Sequence, residues 1–350
     1  MALLGSLRPA AACCTVYPAD RRVAIVDQEI LIVWDAKNGL ERFVRRAAFE
    51  TPGGRDFGFL VPTPSVPALA EVPNAVFDRL RQATRPRVVT GYRIDVTPLV
   101  LYPFTLFLSS AADRPAGALV RVLHQQSVAG YDAAVLEADD AVALARWLRA
   151  HGYDSRPEIE EWAKPYVAAH WKITAFKYAQ AGAPAEERTG SAAATATTGA
   201  VSLSFATDRP LFPYRVPTDQ LAMPGQRHLL RVFFVGTERM EAALGKAGKP
   251  WAGVARYAGR VEGLRSLLAG VAPDDALPAA GWITMFEDDS WPGGTKDLFF
   301  RRATEAGPIR PVVQGRPARI PRPLDVLAFV AVGCFRILRR RSAAVAAPPH

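Results

Sequence analysis

Residues 23–49, VAIVDQEILIVWDAKNGLERFVRRAAF, set the reading of the fold. Val23–Trp34 is rich in Ile and Val, branched residues that favour strands. Lys37-Asn38-Gly39 supplies residues tolerant of positive φ. Leu40–Phe49 then returns, with Phe43 and aliphatic residues among charges. Two such runs around such a turn predict a β-hairpin.

Working outward, Asp56–Pro64 (DFGFLVPTP) predicts a short strand ended by prolines, which cannot donate to a ladder. Asn74 stands where it caps a short helix carrying Val76, Phe77 and Leu80. Arg87–Tyr92 reads as a strand. Val96–Leu108, broken by Pro98 and Pro103, reads as a buried strand pair or a hydrophobic loop. Ala118–Glu137 gives two strands around Ala129-Gly130-Tyr131.

A helix over about 139–151 follows. Asp139 and Asp140 open it, and Ala141, Leu144, Ala145 and Leu148 share one face. A second, over about 156–168, starts on the capping box Ser155-Arg156-Pro157-Glu158, and Pro165 should kink or end it. Trp171–Tyr178, Val201–Thr207, Leu229–Val235 and Trp282–Glu287 predict strands. The Ala/Thr/Gly-rich stretch 179–199 reads as a flexible loop. A third helix is expected over about 260–269, with Val261, Leu264, Leu267 and Leu268 inward. This order lacks regular β-α-β alternation. It predicts an α+β fold with a mixed or mostly antiparallel sheet, a few helices and a C-terminal hydrophobic helix.

The chain has 350 residues, 49% hydrophobic and 22% charged, which excludes a disordered chain and allows a sizeable core. The formal net charge is +9, but residues 308–341 hold eight arginines against one acid, Asp325. The body is therefore nearly neutral, and nucleic acid is not an expected partner. The tail has an order of its own. A Pro/Arg-rich linker, 306–323, leads to the apolar run 324–338, built on Leu324, Val326, Leu327, Phe329, Val330, Val332 and Phe335. Arg339, Arg340 and Arg341 follow at once, and 339–350 is a basic, then disordered, tail. This is the pattern of a stop-transfer anchor with the arginines cytoplasmic. At 15 residues, with Asp325 and Arg336 inside it, the run is short for a span, and a terminal or membrane-surface helix is the competing reading.

Residues 1–12 read as the remnant of a signal peptide, with Ala10-Ala11-Ala12 as small residues before a cleavage site. Cys13 and Cys14 are disulfide or lipid candidates. With Cys334 they make no disulfide framework and have no metal-ligand spacing.

The segments VAIVDQEILIVWD, ERFVRRAAFETP, DFGFLVPTPS, VAGYDAAVLEADDAVALARWLRAHGY, KPYVAAHWKITAFKY and LSFATDRPLFPYR together resemble the bacterial family called domain of unknown function 2330. The resemblance covers roughly 13–305, and VAGYDAAVLEADD and FGFLVPTP are its most specific pieces. It implies an exported protein with one large domain and often a C-terminal membrane segment. It implies no activity, so no catalytic residue is carried over. The signal peptide here is shorter than the family pattern, and the cysteine-rich insertion of some members is missing.

The chemistry-bearing motifs are sparse. There is no G-x-S-x-G, H-E-x-x-H, P-loop, C-x-x-C or Rossmann glycine pattern. The five histidines are scattered. Glu287, Asp288 and Asp289, before a Gly-containing turn, are the candidates for a hard cation or for acid–base work; a solvated turn is the alternative. Trp251 and Trp291, in Pro/Gly-rich loops, are candidates for binding. No cofactor is expected. The expectation is a protein at the bacterial cell membrane, N-out and C-in, with a non-catalytic extracytoplasmic domain of residues 13–305. Its partners are the membrane and an unknown protein or polymer ligand. The alternative is an exported enzyme with a carboxylate or metal site near Glu287–Asp289.

Overall fold

A computed structural model describes residues 15–16, 24–51, 57–94, 126–153, 156–178, 194–197, 199–221, 228–292 and 294–320. In chain order the first strands are β1 (Thr15–Val16), β2 (Ala24–Asp35), β3 (Leu40–Thr51), β4 (Phe57–Thr63), β5 (Ala68–Val72), β6 (Arg87–Ile94), β7 (Gln126–Val128), β8 (Tyr131–Leu136) and β9 (Lys172–Tyr178). The second half adds β10 (Ala194–Thr197), β11 (Ala200–Ala206), β12 (Leu211–Phe212), β13 (His228–Gly236), β14 (Met240–Leu244), β15 (Val254–Glu262), β16 (Ala280–Trp291), β17 (Leu298–Arg302) and β18 (Val312–Ile320). The helices are α1 (Ala75–Ala83), α2 (Ala141–Ala150), α3 (Pro157–Ala168) and α4 (Leu264–Leu267). The fold is α+β and mostly antiparallel, with two parallel strand pairings among the described residues, β2 with β13 and β6 with β18.

The described residues of 1–85 and 121–310 form one compact unit, and those of 86–120 and 311–350 form a second. In the second, β6 and β18 make a parallel ribbon. The segment read as a Pro/Arg-rich linker thus contains a strand.

The β2–β3 hairpin lies inside an eight-stranded sheet of order β15-β16-β13-β2-β3-β11-β5, with β10 also on β3. Its turn is built as the sequence implies. Gly39 takes φ 58°, and the Asp35 carboxylate accepts from the backbone N–H of Lys37 (3.1 Å) and Asn38 (3.2 Å). β2 is central and buried on both faces, which explains its unbroken apolar run Ile30–Val33. Successive side chains go to opposite faces, so Ile30 and Ile32 enter one core, and Leu31 and Val33 enter another.

Two covers complete the layers. On the Ile30 side the big sheet packs against a five-stranded sheet (β1-β4-β9-β8-β7) and a three-stranded one (β12-β17-β14), through Phe59, Tyr131, Phe176, Phe212 and Phe300. On the Leu31 side it is covered by α1 and α4, with Val76, Phe77, Leu80 and Leu264 inward. The outer face of the five-stranded sheet, with Leu60, Ile173 and Ala175, packs under α2 and α3. Helix, sheet, sheets and helix thus stack in four layers. Each fully buried Ile, Leu, Val or Phe contributes about 1.5–3 kcal/mol.

Several expectations change. The third helix is shorter than 260–269: Arg260–Glu262 belong to β15, Gly263 breaks the chain with φ 72°, and only Leu264–Leu267 is helical. Pro165 lies inside α3, which runs on to Ala168; the proline is exposed and lacks an N–H. Asp140 caps α2 by accepting from Ala143 N–H at 2.6 Å, whereas the Asn74 side chain makes no cap bond to α1. Within the loop expected at 179–199, residues Ala194–Thr197 pair with β3. The expected C-terminal hydrophobic helix 324–338, Arg339–Arg341, the segment 1–12, Cys13, Cys14, Ser155 and Val96–Leu108 lie outside the described residues. Among the described residues, no helix is long and apolar enough to cross a membrane.

Candidate functional site

The acidic triplet Glu287-Asp288-Asp289 is part of β16, not of a turn, and strand alternation sends Asp288 to the face opposite its two neighbours. Glu287 faces the α1 side and binds Arg231 at 2.8 Å. Asp288 faces the opposite way and is fully buried, and Asp289 is exposed. Among the described residues, no group of three or more His, Cys, Asp or Glu is placed to hold a metal ion.

Asp288 instead gathers both tryptophan candidates. Its Oδ2 accepts from the Tyr214 hydroxyl (2.6 Å) and the Trp251 indole (3.1 Å), and its Oδ1 from the Ser290 N–H (2.8 Å) and hydroxyl (2.5 Å). The Trp291 ring lies 4.6 Å from the Tyr214 ring, and Trp251 meets Tyr214 edge-on at 6.0 Å. Burial, then the neighbouring Asp288 charge, pushes the Tyr214 hydroxyl well above its usual pKa. Four donors satisfy the carboxylate, so the arrangement locks the Tyr214 and Trp251 loops to β16, whose last residue is Trp291, and leaves no lone pair free for a cation.

On the α1 face a charged ladder crosses four strands. Arg46 of β3 stands opposite Glu29 of β2, Glu29 opposite Arg231 of β13, and Arg231 opposite Glu287 of β16. The ion pairs follow this register: Arg46–Glu29 3.4 Å, Arg231–Glu29 3.3 Å and Arg231–Glu287 2.8 Å. Arg81 of α1 reaches Glu29 at 2.5 Å, and Arg256 reaches Glu287 at 3.6 Å. The signs alternate, so each charge has an opposite neighbour.

Farther along the same face, at the hairpin end, opens a cleft of about 440 Å³. Val33, Trp34, Leu40, Leu277 and Pro278 make it largely apolar, and Arg42, Lys37, Asp35 and Asp275 bring charge to its wall. Size and lining are those of a small-molecule site. Arg42 is the unusual member. It sits on β3 between Val33 and Ser204 and is only 8% exposed. Its Nη1 is buried without a hydrogen-bond partner among the described residues. A guanidinium keeps its charge at any accessible pH, and an unpaired buried charge costs several kcal/mol. Asp35 attracts it through charge but forms no ion pair with it among the described residues. That carboxylate is committed to the hairpin turn, where the Asn38 side chain also donates to it at 2.6 Å. The same Asn38 bond is the main reason its pKa is lowered, so the group stays ionised. Arg42 belongs to no chemistry-bearing motif in the sequence. The available signal was period 2: Arg42 shares a face with Val44, on a strand buried from both sides.

Comparison with solved structures finds the crystal structure of baculovirus P35, 8% identical, with a TM-score of 0.38, covering 82% of this chain and 96% of that one. At that score the similarity assigns neither fold nor function. No curated protein matches the sequence. A family model described as "uncharacterized protein conserved in bacteria (DUF2330)" matches residues 8–273. That span takes in the central hairpin, the Asp140-capped helix and the Arg42 cleft wall as far as Val33–Thr237, and the chain belongs to this bacterial family.

Proposed function

We propose that the chain is a binding domain for a small organic anion, displayed outside the cytoplasm of a bacterial cell and tethered to its membrane. The observation that carries the binding reading is Arg42, nine-tenths buried, in the wall of a largely apolar cleft that also holds Lys37, Asp35 and Asp275. An anionic head group would pair with Arg42 while an apolar body packs on Val33, Trp34, Leu277 and Pro278. Binding is favoured over catalysis because, of the two carboxylates in the cleft wall, Asp35 is held by the turn and Asp275 stands exposed to solvent. A carboxylate or metal centre at Glu287–Asp289 gains no support from β16, which buries Asp288 on the opposite face and leaves Glu287 paired with Arg231 and Arg256. The tether rests on the order of the tail: apolar residues 324–338, then Arg339–Arg341, which favour a cytoplasmic end.

Calorimetric titration tests the cleft, with benzoate as probe and benzyl alcohol as its neutral counterpart. Benzoate binds the unaltered chain and benzyl alcohol does not. Arg42→Gln weakens benzoate at least about tenfold, the loss of one charge-assisted contact, while the chain stays folded. Equal binding of both probes, or no effect of Arg42→Gln, defeats the reading. Carbonate extraction of membranes tests the tether: full-length chain stays in the pellet, and truncation after Pro323 releases it. Full-length chain in the soluble fraction defeats that part.

A further inference from the structure

We infer that the chain buries one small monovalent inorganic anion, of the halide class, against Arg45 between its two main sheets. Arg45 projects from β3 on the face opposite Arg42, so this seat is separate from the cleft. Its cross-strand neighbours are Ile30 and Val201, both buried. The residue is 2% exposed. None of its guanidinium nitrogens, Nε, Nη1 or Nη2, has a hydrogen-bond partner among the described residues. No ion pair is formed to it there either.

The ring of Phe59 covers one face of the guanidinium, with its centroid 4.0 Å from Cζ. Phe59 is itself stacked on Phe176 at 4.7 Å and meets Tyr131 edge-on at 5.1 Å. The aromatic face eases the charge but takes up none of the N–H groups, which point outward in the guanidinium plane. An arginine cannot escape by losing its proton, as a buried lysine does. A charge in such surroundings needs a counter-charge. The chemistry of the seat sets the class. One fixed positive charge balances one negative charge, and a divalent anion would leave an excess in an apolar interior. A halide accepts from any of the N–H donors, and a monatomic ion asks the least space beside the buried Ile30, Val201 and Phe59.

Two measurements on the full chain decide. The first is the melting temperature in sodium chloride against sodium gluconate at equal ionic strength. The expected result is a melting temperature that rises with each tenfold increase in chloride once the seat begins to fill, and no such rise in gluconate. In Arg45→Met, which fills the same space without charge, the chloride effect disappears. The second is anomalous diffraction from crystals grown in sodium bromide, which needs no variant. A bromide peak within hydrogen-bond distance of the Arg45 guanidinium supports the inference. An unaltered chain that melts alike in chloride and gluconate overturns it. So does a chloride effect of equal size in Arg45→Met, bromide-free density at Arg45, or a carboxylate of the chain seated on the guanidinium.

Discussion

Glu41 shows how much one side chain can depend on its layer. It is fully buried on β3, and Leu211 N–H donates to its Oε2 at 2.9 Å, while Oε1 has no partner among the described residues. Burial raises its pKa well above the ordinary 4.5, and the Leu211 bond only partly opposes this. The folded chain therefore holds a proton that the unfolded chain gives up sooner. The stability tied to that proton is full below about pH 4.5 and is lost as pH rises through the folded-state pKa. Asp297 acts in the same direction: burial raises its pKa despite hydrogen bonds from Tyr166 (2.7 Å) and Arg215 N–H (3.1 Å). Glu41→Gln keeps an acceptor for Leu211 and removes the ionisation. Melting curves across pH 5 to 8 should show a shallower fall for Glu41→Gln, with the remainder due to groups such as Asp297. An unchanged slope would mean that Glu41 is ionised in the folded chain.

At the scale of elements, Gly263 separates a strand from a helix. Val261, Leu264, Leu267 and Leu268 have helical spacing, and on that pattern alone one helix covers 260–269. Pairing decides otherwise: Val261 lies opposite Gly281 of β16, and the chain turns at Gly263 with φ 72°. A Cβ at Gly263 would meet nothing within 4 Å, so only the backbone conformation opposes substitution. Gly263→Ala should cost about 1 kcal/mol in denaturant melts, and Gly263→Asn less, because Asn tolerates the left-handed region. Equal losses for both would point to a cause other than φ. By contrast, α2 was legible residue by residue, from the Asp140 cap to the Ala141–Leu148 face, because a helix start is written within four residues of itself. The strands β12, β14 and β17 carry no such signal, since short pieces such as Leu211–Phe212 show no pattern until a partner strand is present.

Across the whole molecule, Glu29 ties three elements together. It is 2% exposed and pairs with Arg46, Arg81 and Arg231, so its loss would leave three arginines facing one another. Glu29→Gln should destabilise the chain by about 2 kcal/mol, below the range for fully buried pairs because the arginines are partly solvated. The deficit should shrink in high salt, which screens their repulsion. A salt-independent deficit would argue that Glu29 acts through packing alone. The ladder also marks where sequence reading stops. Arg231 and Glu29 are 202 residues apart, and their meeting follows from the parallel pairing of β13 with β2. The same holds for the candidate sites. Trp251, Trp291 and Asp288 were singled out separately, and only the pairing of β16 with its neighbours and the packing of Tyr214 bring them into one buried lock. By itself the sequence determined the α+β class, the hairpin over 23–49, the two helices near 139–168 and the family, because each is encoded in contiguous residues. The tertiary structure alone decided which face each charge takes. It buried Arg42 beside a cleft and Arg45 between sheets, because the cost of a charge depends on which distant strands and helices close over it.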